Sequence, residues 1–212
     1  MLRDRRRAIM AAALVAVAVA LCVAALFGPE YWRYASYEPR EGDVIFQSLP
    51  RAPLTNAIEG ATHSPWSHCG IVAKDERGNW VVYEALGNVD RVPLRQFLFR
   101  SRNEQYAVYR WKPEVEQYIP AMLDHVRSCV GRPYDYRYRL DDDAIYCSEL
   151  IYKACLAATG QPPGKLVKLG DLDWREYRQL IEQLEGGPVP VERQMITPRD
   201  LANAEQMELV YP

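Results

Sequence analysis

The run His68-Cys-Gly-Ile-Val-Ala-Lys-Asp-Glu-Arg-Gly-Asn-Trp-Val-Val-Tyr-Glu84-Ala85 decides how the chain is read. Two β-rich stretches, His68 to Ala73 and Trp80 to Ala85, flank a polar hexapeptide with the composition of a hairpin turn. In an antiparallel hairpin, residues opposite one another project from the same face of the sheet. With the loop at Lys74 to Gly78, Ala73 pairs with Asn79 and His68 falls opposite Glu84. A register shifted by two residues keeps the pair on one face, and a shift of one separates them. A carboxylate beside an imidazole fixes its tautomer and favours the imidazolium, the part an orienting group plays behind a catalytic base.

Outward from the hairpin, Gly42-Asp43 opens a short strand, Val44-Ile45-Phe46, and another strand fits Tyr106 to Trp111. Residues 47–66 read as a loop with one short helix around Leu54–Glu59. Pro113 starts a helix whose apolar residues Val115, Tyr118, Ile119, Met122, Leu123 and Val126 recur at helical spacing. Gly131-Arg-Pro-Tyr breaks it. A second helix runs from about Cys147 to Ala158, a third fits Trp174 to Leu184, and Thr197-Pro198 caps a short turn. Strands lead, helices cluster later, and the strands are joined as hairpins. The expectation is an α+β domain, an antiparallel sheet packed against helices, over residues 42–212.

The N-terminus belongs to something else. Residues 1–7 carry four arginines against one aspartate, and an uncharged run of Ala, Val and Leu follows from Ala8 to Phe27. Twenty helical residues reach about 30 Å, the thickness of a bilayer's hydrocarbon core. Basic residues before the run would hold the N-terminus in the cytoplasm and put the rest outside. Residues 1–7 are thus expected as a basic cytoplasmic segment, 8–27 as a transmembrane anchor and 28–41 as a juxtamembrane linker. Tyr31, Trp32 and Tyr34 stand where an interfacial aromatic belt would lie. A cleaved signal with its site near Val23-Ala24-Ala25 is the rival, and it would make the domain secreted.

The whole chain of 212 residues has net charge −2, so the part after residue 7 is about five charges negative. An acidic domain without a basic stripe argues against nucleic acid as a partner. Five cysteines are too few and too scattered for a disulfide scaffold, and none has the spacing of a zinc knuckle. No cofactor is expected. A metal held by His63, His68, Cys69 and Glu84 is disfavoured because adjacent strand residues, here His68 and Cys69, point to opposite faces.

Chemistry gathers at Ala144-Ile-Tyr146-Cys147-Ser-Glu-Leu. Cys147 falls in the first turn of a helix, where free N–H groups and the positive end of the helix dipole lower a thiol's pKa. An ordinary thiol is only about 3% ionised at pH 7, and a fall of two units makes most of it nucleophilic. Of the three histidines, His125 reads as solvated and His63 as a loop residue, so His68 alone sits on a strand. Each residue has a plain alternative: a core cysteine, a satisfied core histidine, an exposed edge carboxylate. Their conjunction points to chemistry.

These residues resemble the circularly permuted branch of the NlpC-type papain-like hydrolases, the YiiX/YebB-like proteins, in which the His strand precedes the nucleophile helix. The resemblance covers about residues 42–158, on Gly42-Asp-Val-Ile-Phe, Ser67-His68-Cys-Gly-Ile-Val, Tyr83-Glu84-Ala, Gly131-Arg-Pro-Tyr134-Asp and Tyr146-Cys147-Ser-Glu-Leu, with a weaker echo at Ile196-Thr-Pro-Arg-Asp-Leu. It implies a permuted papain-like fold and a cysteine hydrolase with Cys147 as nucleophile, His68 as base and Glu84 as orienter. Tyr134 would help bind the oxyanion with the Cys147 N–H, and Tyr146 joins Tyr134, Tyr136 and Tyr138 in an aromatic-lined cleft for substrate. Cell-wall peptides, small amides and lipid-linked acyl groups are the substrates it implies. A non-catalytic binding protein of the cell envelope on the same fold is the alternative. Cys69 departs from the family pattern and is expected to serve only packing.

Overall fold

The computed structural model describes residues 5, 9–10, 12–22 and 36–212. Residues 9–10 and 12–22 are helical and exposed, and the rest of the apolar run expected to span a membrane lies outside the described residues. Among the described residues no helix is long and apolar enough to cross a membrane. Residues 1–38 and 39–212 form separate units, and the larger carries the fold.

Its centre is a six-stranded antiparallel sheet. Strands β1 (Val44–Gln47), β2 (His68–Lys74), β3 (Trp80–Leu86), β4 (Asn88–Pro93), β5 (Tyr106–Trp111) and β8 (Met207–Tyr211) lie in the order β4-β3-β2-β1-β5-β8. A separate two-stranded ribbon joins β6 (Val167–Lys168) to β7 (Gln194–Met195). The expected hairpin is present with its register moved by two: Ala73 pairs with Val81 and Gly70 with Glu84. Because the move is even, His68 and Glu84 keep a common face.

Alternation divides the sheet's two faces. Val44, Phe46, Cys69, Ile71, Ala73, Tyr83 and Ala85 join the main core with two helices, α4 (Ile119–Ser128) and α5 (Cys147–Thr159). These helices contribute Met122, Leu123 and Val126, and Leu150, Ile151 and Ala154. Ile45, Val72 and Val82 face the other way and are buried, as are Leu94, Phe97 and Leu98 of the short helix α2 (Leu94–Phe99). Gly70 lies on this second face. A Cβ there would stand 2.4 Å from Val82 and 2.9 Å from Phe97, so the position admits no side chain. Gly42 is constrained twice: its φ is +88°, and an added Cβ would meet Ile119 at 2.7 Å.

The remaining helices are α1 (Pro53–Thr62), α3 (Pro113–Glu116), α6 (Arg178–Glu185) and α7 (Pro198–Ala202). The single helix expected from Pro113 is broken into α3 and α4. Pro120 has no N–H to continue the ladder, and the second piece restarts with that proline in its first turn. Thr197 caps α7 as expected, its hydroxyl accepting from the Asp200 N–H at 3.1 Å.

Candidate active site

The nucleophile candidate is the first residue of α5, and three local features put it there. Tyr146 precedes it in extended conformation as N-cap, and the Glu149 carboxylate accepts from the Tyr146 N–H at 3.1 Å, half of a capping box. The Tyr146 hydroxyl accepts from the Ile196 N–H at 3.0 Å, and the Ser148 hydroxyl donates to the Ile196 carbonyl at 2.8 Å. One backbone unit of the C-terminal segment is thus gripped by the residues on either side of Cys147. Burial and the nearby Asp135 push the Glu149 carboxyl up to about 7, against the pull of Lys153, 2.9 Å away.

The base candidate comes from the sheet. His68 is the first residue of β2, and its Nε2 lies 2.5 Å from Glu84 Oε2. That contact leaves Nδ1 as the ring nitrogen for the Cys147 sulfur, to which the imidazole is hydrogen-bonded. Arg100, the residue after α2, forms an ion pair with the same Glu84 oxygen. Gln47, paired with His68 across β1 and β2, holds that guanidinium: with its amide turned to donate to Ser101 Oγ and the Phe97 carbonyl, it accepts from Arg100 at 3.2 Å. Cys147 and His68 are each 1% exposed and Glu84 3%.

Charge in so dry a place is set by partners. Burial works against a charged His68, but the Cys147 thiolate and the hydrogen bonds the ring donates to Cys147 and Glu84 outweigh it and push the imidazole up to about 9. The Cys147 thiol is held well below its usual value, chiefly by a hydrogen bond from the Cys69 thiol, then by the charge and hydrogen bond of His68, with burial opposing. Glu84 is lowered: burial opposes its charge, and His68 and Arg100 overcome it. Cys147 and His68 therefore stand as a thiolate–imidazolium pair with Glu84 behind the ring.

Cys69 is not mere packing. It does face away from the side of the sheet that carries Glu84, as alternation requires, but α5 begins against that opposite face. The β2–β3 ladder ends at Gly70–Glu84, so Cys69, one residue beyond, has no strand partner in β3, and its N–H adds to its thiol in lowering the Cys147 pKa. Cys69 and Arg100 were both out of reach of sequence reasoning, because their roles depend on where a helix begins and ends over the sheet.

Tyr134 sits in a segment zipped to the start of β4, its N–H donating to the Gly87 carbonyl at 2.9 Å. Its hydroxyl is 2.9 Å from that of Tyr138, and burial first, then Tyr138 and Cys147, raise its pKa well above the usual, so it stays a neutral donor. Tyr138 holds a left-handed φ of +55° and packs its ring against Tyr146, 4.7 Å between centroids. The Tyr146 ring is fully buried with its hydroxyl committed to Ile196. His63 lies at the surface, 3.4 Å from Asp173, apart from the other residues of the metal set considered above. Among the described residues no group of three His, Cys, Asp or Glu side chains is arranged to hold a metal.

A thiol at a helix start, an imidazole on a strand that comes earlier in the chain, and a carboxylate behind the ring make a papain-like site in permuted order. Residues 38–211 match the family model described as permuted papain-like amidase enzyme, YaeF/YiiX, C92 family. The chain belongs to this family. It is 30% identical over 179 residues to the protein YiiX of Escherichia coli strain K12, covering 82% of this chain and 87% of that protein. It is also similar to the solved structure titled metalloprotein YiiX from Escherichia coli O157:H7, with TM-score 0.74 and 30% identity over 83% of this chain and all of the other. Membership of a papain-like amidase family brings with it the cysteine-hydrolase class, and the expected permuted papain-like α+β fold is the observed one.

One further feature shares Tyr138 with this region. A small groove of about 90 Å³ runs between α1 and α6 and is lined by Leu54, Ile58, Leu169, Ile181 and Leu184. Tyr138 forms part of its wall, and the same residue's hydroxyl contacts Tyr134.

Proposed function

We propose that this chain is a thiol hydrolase that cleaves the amide or ester bond of a lipid-linked acyl substrate. The observation that carries the reading is the continuous line from Cys147 through His68 to Glu84, with charges set for nucleophilic attack. The Cys147 thiolate attacks the carbonyl carbon, and the oxyanion that forms takes hydrogen bonds from the Cys147 N–H and the Tyr134 hydroxyl. His68 gives its proton to the leaving nitrogen or oxygen. It then takes one from the water that cleaves the thioester, and the thiolate is restored. Glu84, pinned by Arg100, keeps the ring oriented throughout.

The apolar groove favours an acyl chain over a cell-wall peptide, whose backbone and charged groups would find few partners among leucine and isoleucine side chains. Tyr138 joins the groove to the reacting centre. Tyr146, with its hydroxyl already engaged, supports the helix start and leaves substrate to Tyr134 and Tyr138. The apolar run at 8–27, with its basic flank, fits a tether that keeps the domain at the outer surface of the cell membrane, near such substrates.

The test compares wild type with Cys147→Ala on long-chain acyl esters and amides, phospholipids and purified peptidoglycan fragments. Release of fatty acid by wild type and not by the variant is the expected result. Cleavage of peptidoglycan alone overturns the substrate assignment and leaves the enzyme. The near-complete burial of Cys147 keeps one rival in play, a binding protein on the same fold; labelling of Cys147 by a thiol probe with no turnover of any substrate would favour it.

A further inference from the structure

Binding an oxyanion asks of Tyr134 a proton that is not otherwise engaged. A phenol has one proton to give and lone pairs to accept with. The Tyr134 hydroxyl is 2.9 Å from that of Tyr138, and either can be the donor. If Tyr134 donates to Tyr138, its proton is spent and none is left for the oxyanion. If Tyr138 donates to Tyr134, the Tyr134 proton is free, and the bond accepted on its oxygen makes it a stronger donor. We propose that Tyr138 is a positioning residue of the hydrolase, whose hydroxyl donates to Tyr134 and aims the Tyr134 proton at the oxyanion. The inference rests on the hydrolase reading above and on no particular substrate.

Backbone and neighbouring rings together hold the Tyr138 hydroxyl in place. Among the described residues, three that are not glycine have positive φ: His63, Asn103 and Tyr138. Histidine and asparagine are types that adopt this region, whereas for a bulky aromatic it is an outlier. At φ +55° Tyr138 is held by a turn built on the buried Asp135. The Asp135 carboxylate accepts from the N–H groups of Arg137, at 2.9 Å, and Arg139, and the Asp135 carbonyl accepts from the Tyr138 N–H at 3.3 Å. Uncommon backbone geometry fixed by local hydrogen bonds is a mark of sites where a side chain must be aimed.

The ring then meets two others. It lies 4.7 Å from that of Tyr146, the residue before Cys147, and 6.2 Å from that of Tyr134, edge to face at 84°. Tyr138 therefore packs on the start of the nucleophile helix and reaches the oxyanion donor with one side chain. The Tyr146 hydroxyl is engaged with the Ile196 N–H and takes no part. A phenylalanine at position 138 would make the same ring contacts, so what tyrosine adds there is the bond to Tyr134.

The test compares two reactions of Cys147 in the purified full-length protein. With p-nitrophenyl acetate the thiolate attacks the carbonyl carbon, an oxyanion forms, and p-nitrophenolate leaves as the thioester is made. With iodoacetamide the same thiolate displaces iodide from a saturated carbon, and no oxyanion forms. Tyr134→Phe should slow acylation by about 10²-fold and Tyr138→Phe by about tenfold, while alkylation keeps its wild-type rate in both. The double variant should acylate no more slowly than Tyr134→Phe alone, because Tyr138 acts only through Tyr134. A disturbed fold or a weakened thiolate would slow both reagents together. That result overturns the role of Tyr138 and leaves the hydrolase reading standing, as do wild-type acylation by Tyr138→Phe and losses that multiply in the double variant. A wild-type Cys147 that takes no acyl group overturns the hydrolase reading, and this inference with it.

Discussion

The site is built from two halves of different character. The strand half, His68, Glu84 and Arg100, is an ion-pair network on one face of the sheet whose geometry comes from strand pairing and one guanidinium. The helix half, Cys147 with Tyr146, Ser148 and Tyr134, is held by a capped helix start and by hydrogen bonds to a backbone unit some fifty residues later. The first half sets the proton's energy and the second sets the sulfur's position. Perturbing one should therefore move pH profiles, and perturbing the other should move stability.

The largest effect is expected where the halves meet. Cys147→Ala should lower hydrolysis by about 10⁴-fold or more, with folding retained by circular dichroism. His68→Ala removes the charge and hydrogen bond that assist Cys69 in holding the thiolate, so Cys147 should titrate higher and its alkylation rate at pH 7 should drop.

Next comes a change confined to the strand half. Glu84→Gln removes the charge that supports the imidazolium, and turnover should fall on the order of 10²-fold. The sign of the pH effect follows from the wild-type value. His68 must be protonated to release the leaving group, so wild-type activity is lost as pH rises through about 9. In the variant that alkaline limb should lie lower. A pH–rate profile with an unmoved limb would separate Glu84 from the ring's proton.

A change in the helix half should leave that limb in place. Tyr146→Phe strips the Ile196 N–H of its acceptor inside the core, at a cost of about 1–3 kcal/mol in urea unfolding. Turnover should change much less than in Glu84→Gln. Smaller still for catalysis is Gly70→Ala, whose methyl would press on Val82 and Phe97 and destabilise by about 1–3 kcal/mol by overpacking.

The two halves also differed in how far the sequence disclosed them. Alternation along the hairpin placed His68 and Glu84 on one face, and the register error of two residues cost nothing because the side-chain period is two. The start of α5 at Cys147 was legible as the beginning of the second expected helix. Strand β4 was missed because its residues are mostly exposed and end in Pro93, which leaves little alternation to see. Helix α2 has six residues, too few for a helical period, and so Arg100 could not be placed. The part played by Cys69 is set by where the β2–β3 ladder ends, and local pattern does not encode that.

The most direct test of the ion pair is a spectroscopic titration of the thiolate near 240 nm, taken as the difference between wild type and Cys147→Ala. A thiolate absorbance that persists well below pH 8 and moves to higher pH on His68→Ala is the predicted result. A single titration at the ordinary thiol value of about 8.5, indifferent to the residue at position 68, would contradict the account.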